Sequence, residues 1–172
     1  KMFLIIFFLL ISCFSLKDKQ IMENLKTVPY VDLDKFMGEW YVIANIPTII
    51  EKNATNAIEA YELDKDGIIN TTFSFYNKKG KKKIYKPKGF IYNNKTNAEW
   101  RMQFFWPFKM PFLIIELDED YSYTVIGYPN RNYVWIMARE PEIPNATYQS
   151  ILTNLELVGY DLEKIKLVPQ LW

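Results

Sequence analysis

The sequence predicts an all-β domain in which eight short antiparallel strands are followed by one C-terminal α-helix. Segments of alternating apolar and polar residues recur along the chain, and Gly, Pro, Asn and Asp separate them at near-regular spacing. This pattern is typical of a β-sandwich or an up-and-down β-barrel. Near the end of the chain, apolar residues stand three and four positions apart, as in an amphipathic helix. A length of 172 residues favours a single domain.

The eight strands are predicted at residues 38–45, 56–63, 68–76, 84–92, 98–105, 112–117, 121–128 and 133–139. Phe36 and Met37 predict a short helical turn that closes one end of the fold, and Gly38 allows a sharp bend into the first strand. The turn before the third strand ends in Asp66-Gly67, a common hairpin sequence. Pro87 indicates an irregular or edge position, because proline cannot donate a hydrogen bond within a sheet.

The C-terminal helix is predicted to begin at Asn145 as its N-cap and to end before Gly159, which suits the position after a helix. Its apolar stripe comprises Tyr148, Ile151, Leu152 and Leu155. This stripe needs an apolar surface outside the strands, and the eighth strand offers one in Val134, Ile136 and Ala138. Asp161 is expected to cap another short turn, and Leu167-Val168 to add a small strand.

Composition excludes several classes of function. The chain has no His and one Cys, which argues against an internal disulfide, a His-containing metal cluster and a His-activated nucleophile. A formal charge of +1 does not favour binding to nucleic acid. Asp118 and Asp120 have no accompanying base or nucleophile, so the sequence predicts no enzyme, no metal and no cofactor.

The first residues have the features of a processing signal. Lys1 precedes nine apolar residues from Phe3 to Ile11, too few to span a bilayer. Leu10-Ile11-Ser12-Cys13 resembles a bacterial lipobox, which predicts a lipoprotein signal peptide over 1–12, a lipidated Cys13 with a tether over 13–27, and a domain over 28–172. The alternative is an ordinary secretory signal. Four Asn-x-Thr triplets would suit a glycosylated secreted protein, and they begin at Asn53, Asn70, Asn94 and Asn145.

Three ordered sequence blocks carry a resemblance to a known family. They are Gly38-Glu39-Trp40-Tyr41, the run from Asp118 to Tyr123, and Arg139-Glu140-Pro141. Together they resemble the blocks of the lipocalins, in particular the bacterial outer-membrane lipoproteins of the Blc type and apolipoprotein D. The resemblance implies an eight-stranded antiparallel up-and-down lipocalin barrel with the helix packed outside. It also implies a closed floor built from Gly38, Trp40, Asp120, Tyr121 and Arg139, with the Arg139 cation over the Trp40 indole.

Alternate loops of an up-and-down barrel lie at the same end, so all three blocks belong to the closed end. The opposite end would form a mouth, whose apolar and basic residues include the loop Ile46–Ile50, Arg131, Lys78, Lys79, Lys81, Lys82, Lys83, Trp106 and Phe108. Lysines at a mouth would meet phosphate or carboxylate head groups, although most charge runs are simply solvated. The aromatic residues would serve ordinary packing, membrane contact or contact with a second copy of the chain.

Residues predicted to face the barrel interior are Val42, Ala44, Phe73, Phe75, Trp100, Met102, Phe104, Trp135 and Met137. A barrel of eight strands is filled by side chains or holds one small ligand, and the resemblance favours a ligand. The expected function is storage or transport of fatty acids or lysophospholipids, with a role in membrane maintenance under stress. The expected location is the periplasmic side of the outer membrane through the lipid anchor, or a secreted state. The alternatives are a filled barrel that binds a protein and a lipocalin-like enzyme.

Overall fold

A computed structural model describes residues 25–172, so the predicted signal peptide, Cys13 and most of the predicted tether lie outside the described residues. The strands are β1 Gly38–Asn45, β2 Thr55–Leu63, β3 Ile68–Tyr76, β4 Lys82–Tyr85, β5 Lys88–Ile91, β6 Glu99–Phe105, β7 Phe108–Leu117, β8 Tyr123–Gly127, β9 Val134–Ala138 and β10 Lys166–Leu167. The helices are α1 Leu33–Phe36, α2 Asn145–Leu157 and a 3₁₀ turn, Leu162–Lys164.

The strands close into an antiparallel barrel. Neighbouring strands pair in chain order, and β1 pairs with both β2 and β9, which joins the first strand to the last. β4 and β5 together occupy the place of the fourth predicted strand and both pair with β3. Pro87 separates them, and its carbonyl oxygen accepts a hydrogen bond from Thr71 N. The eight-stranded barrel with one C-terminal helix is therefore confirmed, and the sandwich is excluded.

The connection between β6 and β7 differs from the prediction. The sequence predicts that the sixth strand begins at Phe112, whereas β7 begins at Phe108 and pairs Met110 with Met102 and Pro111 with Arg101. The loop predicted between residues 105 and 112 contains Pro107 and Pro111. A strand tolerates proline where no ladder hydrogen bond needs the N–H that proline lacks, so the predicted loop is a tight hairpin.

The helix α2 packs outside the barrel against β9, as predicted. Ile151 and Leu155 of its stripe are buried with Ile136 of β9 in an outer cluster. Gly159, at φ +92°, donates to Glu156 O, and Tyr160 N donates to Leu155 O. These two bonds form the Schellman motif that ends many helices.

Two local predictions are wrong. Pro144 is the N-cap of α2, and Asn145 is already the first helical residue. Ala44 was expected on the inner face of β1 with Trp40 and Val42, but it lies in the outer cluster beside α2. The reason is an irregular register between β1 and β9, where Val42 pairs with Met137 and Ala44 with Ile136. Such a bulge reverses the faces of the residues that follow it.

Among residues 25–172, no helix is both long enough and apolar enough to cross a membrane.

Candidate ligand-binding site

The closed end of the barrel is built around Arg139, the residue after β9. Its guanidinium carbon lies 3.8 Å from the centre of the Trp40 ring. The guanidinium also donates hydrogen bonds of 2.7–3.1 Å to the carbonyl oxygens of Lys35, Phe36, Met37 and Glu39. Gly38 has φ +97°, and a Cβ there would lie 3.3 Å from Arg139 Nη1. Arg139 therefore fixes α1 across the bottom of the barrel.

The turn between β7 and β8 is also at the closed end, and Asp118 holds it. Asp118 accepts a hydrogen bond of 2.6 Å from the Ser122 hydroxyl, and its carbonyl accepts one from Tyr121 N. Asp120, which the resemblance placed in the closed floor, is exposed. The φ of Tyr121 is +58°, and its hydroxyl accepts a 2.8 Å hydrogen bond from Asp32 N, which ties the turn to the start of α1.

A layer of aromatic rings fills the lower half of the barrel above α1. This aromatic layer consists of Phe36, Trp40, Tyr61, Trp100 and Phe112, with ring centres 4.9–6.0 Å apart. Trp100 was predicted to line the cavity, but it is fully buried, stacks on Phe112 and donates to Asn97 O at 2.7 Å. Space for a ligand can therefore lie only above this layer.

The walls of the upper half are apolar. Val42, Phe73, Phe75, Met102 and Met137 belong to the inner cluster, and Phe104 and Trp135 pack against it while remaining partly exposed. Tyr85, which the sequence analysis did not assign, stacks on Phe75 with ring centres 6.1 Å apart. These side chains offer an alkyl chain a surface of aromatic rings and thioethers.

A carboxyl group stands on top of the aromatic layer. Glu59 of β2 pairs with Trp40 on one side and Phe73 on the other, so its side chain is on the inner face. Tyr61, two residues later in the aromatic layer, donates its hydroxyl to Oε2 of Glu59. Burial raises the pKa of Glu59 to about 7. The hydrogen bond from Tyr61 lowers this pKa, and the charge of Glu51 raises it further. Burial also raises the pKa of Tyr61 well above its usual value, so this hydroxyl stays protonated.

Glu59 also faces open space. The side chain is on the inner face of β2, and the residue is only half-buried, so part of its surface faces the interior of the barrel. No residue from 25 to 172 hydrogen-bonds Oε1, and no buried polar side-chain atom among them lacks a partner. Oε1 is therefore accessible from within the barrel.

A second acidic residue holds the loop between β1 and β2 at the mouth. Glu51 is buried and accepts hydrogen bonds from Trp135 Nε1 at 2.8 Å and from Asn45 Nδ2 at 3.2 Å. It also accepts from the backbone N and the hydroxyl of Thr48. These bonds fix the loop, while Ile49 at its tip is almost fully exposed.

The predicted mouth lysines do not all have the same position. Lys83 of β4 pairs with Phe75, which places it on the inner face, and it is half-buried. The other four lysines of the cluster are exposed, and they are Lys78, Lys79, Lys81 and Lys82. Trp106 and Phe108, in the neighbouring hairpin, are 84% and 67% exposed, and Phe108 contacts Phe105 edge to face with ring centres 6.5 Å apart.

Arg131 differs from its predicted place at the mouth rim. It is buried and donates to the carbonyl oxygens of Pro129 and Val158. Because Val158 follows α2, Arg131 ties the helix to the loop between β8 and β9. A separate surface pocket of about 510 Å³ lies outside the barrel, and it is lined by Leu25, Lys26, Thr27, Glu99, Arg101, Pro111, Leu113 and Pro129.

Comparison with known proteins assigns this architecture to a family. A family model for the lipocalin-like domain matches residues 31–170. The chain belongs to the lipocalin family. Among other lipocalins, it is 28% identical to outer membrane lipoprotein Blc of Escherichia coli strain K12, with 95% of this chain and 91% of that protein covered. It is 29% identical to apolipoprotein D of Mus musculus, with 81% and 77% covered.

Solved lipocalin structures are similar in fold. Insecticyanin from the tobacco hornworm Manduca sexta superposes with a TM-score of 0.67 at 19% identity, and 84% of each chain is covered. Within residues 25–172, no group of three or more Cys, Asp or Glu side chains is placed to hold a metal ion. The lipocalin assignment supports binding of a small hydrophobic ligand.

Sequence reasoning missed Glu59, Tyr61 and Glu51. A signal for two of them was present, since Ala57, Glu59 and Tyr61 alternate along one strand. Ala57 and Tyr61 are apolar enough to indicate that their face of the strand is internal. Because Glu59 is on the same face, this alternation would have predicted its carboxyl inside the barrel. No such signal existed for Glu51, because its partners come from β1 and β9.

Proposed function

We propose that this lipocalin binds a fatty acid or lysophospholipid, with the acyl chain in the upper half of the barrel and the anionic or zwitterionic head at the mouth. The observation that carries the proposal is the polarity of the inner surface. It changes from the aromatic rings of Phe73 and Phe75 to Lys83, a half-buried residue with a basic side chain, at the rim. An amphiphile with an apolar tail and an anionic head matches this surface when its tail points to the aromatic layer and its head lies at Lys83.

The aromatic residues at the mouth support uptake of the ligand from a membrane. Phe105, Trp106 and Phe108 are all more than half exposed, and they lie on one hairpin at the same end as the lysine cluster. Exposed apolar patches rimmed by polar residues mark sites of contact with membranes or proteins. Lysines add attraction to anionic lipid surfaces. The protein would thus present its mouth to the source of its ligand.

A lipid anchor on Cys13 would keep the mouth near that surface. The match with Blc of Escherichia coli omits about 5% of the chain, which is fewer residues than the twelve that precede Cys13, so the match extends across the lipobox-like sequence. We propose that the protein is held on the periplasmic side of the outer membrane and that it stores or moves lipids during membrane maintenance. We propose that it binds its ligand without catalysing a reaction on it.

A titration with a matched pair of variants tests this proposal. Hexadecanoate and hexadecanol share an alkyl chain and differ in the head group. Lys83→Gln should weaken the binding of hexadecanoate by about fivefold, since a partly exposed ion pair is worth up to about 1 kcal/mol. Hexadecanol should be unaffected. Lys65→Gln is the control, because Lys65 is exposed in the turn between β2 and β3 at the closed end.

Quenching of the intrinsic tryptophan fluorescence, to which Trp135 in the barrel wall contributes, reports binding in this titration. Mass spectrometry of the released ligand shows whether it is unchanged. No quenching by either ligand would contradict the proposed function. Equal effects of Lys83→Gln and Lys65→Gln would contradict the position of the head group.

A further inference from the structure

The pair formed by Glu59 and Tyr61 is a polar feature that an alkyl chain does not explain. Both side chains lie on the inner face of β2, and Tyr61 reaches from the aromatic layer to Oε2 of Glu59. The other polar groups of that layer are satisfied by backbone, since Trp40 Nε1 donates to Phe36 O at 2.8 Å and Trp100 Nε1 to Asn97 O at 2.7 Å. We call Glu59 and Tyr61 the deep polar pair.

The deep polar pair has unused hydrogen-bonding capacity on the side of the ligand. Oε1 of Glu59 is accessible from inside the barrel and has no partner among residues 25–172. A terminal methyl group placed against it would leave a carboxyl oxygen without water or any other partner. Unpaired polar groups in an apolar environment are costly, whereas a matched hydrogen bond removes that cost.

The protonation state of Glu59 limits which functional group of a ligand can hydrogen-bond to it. Its pKa of about 7 means that both forms of the carboxyl occur near neutral pH. An ammonium group matches only the ionised form, and a carboxylate matches only the protonated form. A hydroxyl group donates to the ionised form and either donates to or accepts from the protonated form, so it fits throughout this range.

The geometry points to a subsite at the base of the barrel in which Glu59 and Tyr61 recognise a hydroxyl group at the inner end of the ligand. The ligand class is then an amphiphile with an anionic head at Lys83 and a hydroxyl at or near the far end of its chain. This inference rests on the proposed function, because it assumes that the tail enters first. It adds a specificity determinant that the apolar walls alone would not provide.

Competition between two ligands that differ only at the far end tests the subsite. Equimolar hexadecanoate and 16-hydroxyhexadecanoate are offered to the full chain in a mild detergent, and native mass spectrometry gives the ratio of the two complexes. The same ratio is measured for Glu59→Leu and for Glu62→Leu. Glu62 is the matched control, since it is exposed on the outer face of the same strand.

The ratio of hydroxylated to plain ligand should fall about tenfold in Glu59→Leu and stay at the wild-type value in Glu62→Leu, as expected for one hydrogen bond to a buried carboxyl. Partition into the micelle cancels, because all proteins receive the same mixture. If wild type and Glu59→Leu both bind hexadecanoate and show the same ratio of hydroxylated to plain ligand, the subsite is refuted while the proposed function stands. If wild type binds neither acid, both are refuted.

A measurement on the wild type alone does not depend on how the variant folds. Hexadecanedioate places a carboxylate at the far end, where it would meet Glu59. Relative to 16-hydroxyhexadecanoate, its binding should weaken at least fivefold between about pH 6 and about pH 8, because Glu59 loses its proton in this range. A constant ratio of the two ligands across this range would overturn the assignment.

Discussion

Glu59 should make the stability of this protein depend on pH in a direction opposite to that of most carboxylates. Its pKa is about 7 in the folded protein, against an ordinary value of 4.5. Between these two values the unfolded chain releases the proton while the folded protein keeps it. Stability is therefore fully present below about pH 4.5, falls as pH rises, and levels off above about pH 7.

The size of this effect follows from the shift. A change from 4.5 to about 7 is roughly two and a half pKa units, and at about 1.4 kcal/mol per unit the loss is about 3 kcal/mol. The groups that act on Glu59 are Tyr61, which stays protonated, and Glu51, whose charge adds to the shift. Asp64 and Asp161 have lowered pKa values owing to hydrogen bonds, so they titrate below this window.

Urea denaturation across this pH range measures the effect. The wild type should lose about 3 kcal/mol relative to Glu59→Gln between about pH 4.5 and about pH 8. Gln keeps the shape of the side chain and an acceptor for Tyr61 but cannot titrate. Glu62→Gln, on the exposed outer face, should follow the wild type. Parallel curves for wild type and Glu59→Gln would refute the placement of an ionisable Glu59 in the barrel.

Three further predictions concern the barrel and its anchor. Trp40→Ala should lower the free energy of unfolding by about 3–5 kcal/mol, because it leaves a cavity. Arg139→Lys should lower it by roughly 2 kcal/mol, because Lys lacks the guanidinium fork and loses at least two of the hydrogen bonds to the floor at about 1 kcal/mol each. Unchanged urea midpoints would contradict this account of the floor. Gly127→Ala should lower the melting temperature, since a Cβ there would lie 2.7 Å from Leu25 Cδ2 and 2.9 Å from the Tyr160 hydroxyl oxygen; an unchanged melting temperature would show that this contact is not tight. Cys13→Ser should abolish incorporation of a fatty-acid label, and equal labelling of both proteins would argue for a secreted carrier.

Much of the fold could be predicted because its signals are local. Turn residues marked the strand boundaries, and the apolar stripe containing Ile151 and Leu155 required a surface on the last strand, which β9 provides. Predictions of which face a residue occupies failed where an irregular strand pairing interrupts the alternation of inward and outward side chains. The bulge in β1 moved Ala44 to the outer face, and no residue type in Val42-Ile43-Ala44 marks it.

The candidate site was harder to predict, because side chains at one level of a barrel come from distant strands. Face alternation identified Phe73, Phe75 and Met102, but it gives no height along the barrel axis. Trp100 therefore counted as a wall, although it belongs to the aromatic layer. Glu51 has local partners in Asn45 and Thr48, but its bond to Trp135 joins residues 84 positions apart along the chain.

The most direct test of the central claim is the dependence of affinity on chain length. Saturated fatty acids from about eight to about eighteen carbons are titrated by quenching of the intrinsic tryptophan fluorescence, with the head group constant. Each added methylene should strengthen binding by at most about fourfold, as about 0.8 kcal/mol per buried CH₂ implies, until the chain reaches the aromatic layer and the gain stops. Affinities that do not change with chain length would contradict a lipid site within the barrel and favour a protein-interaction function.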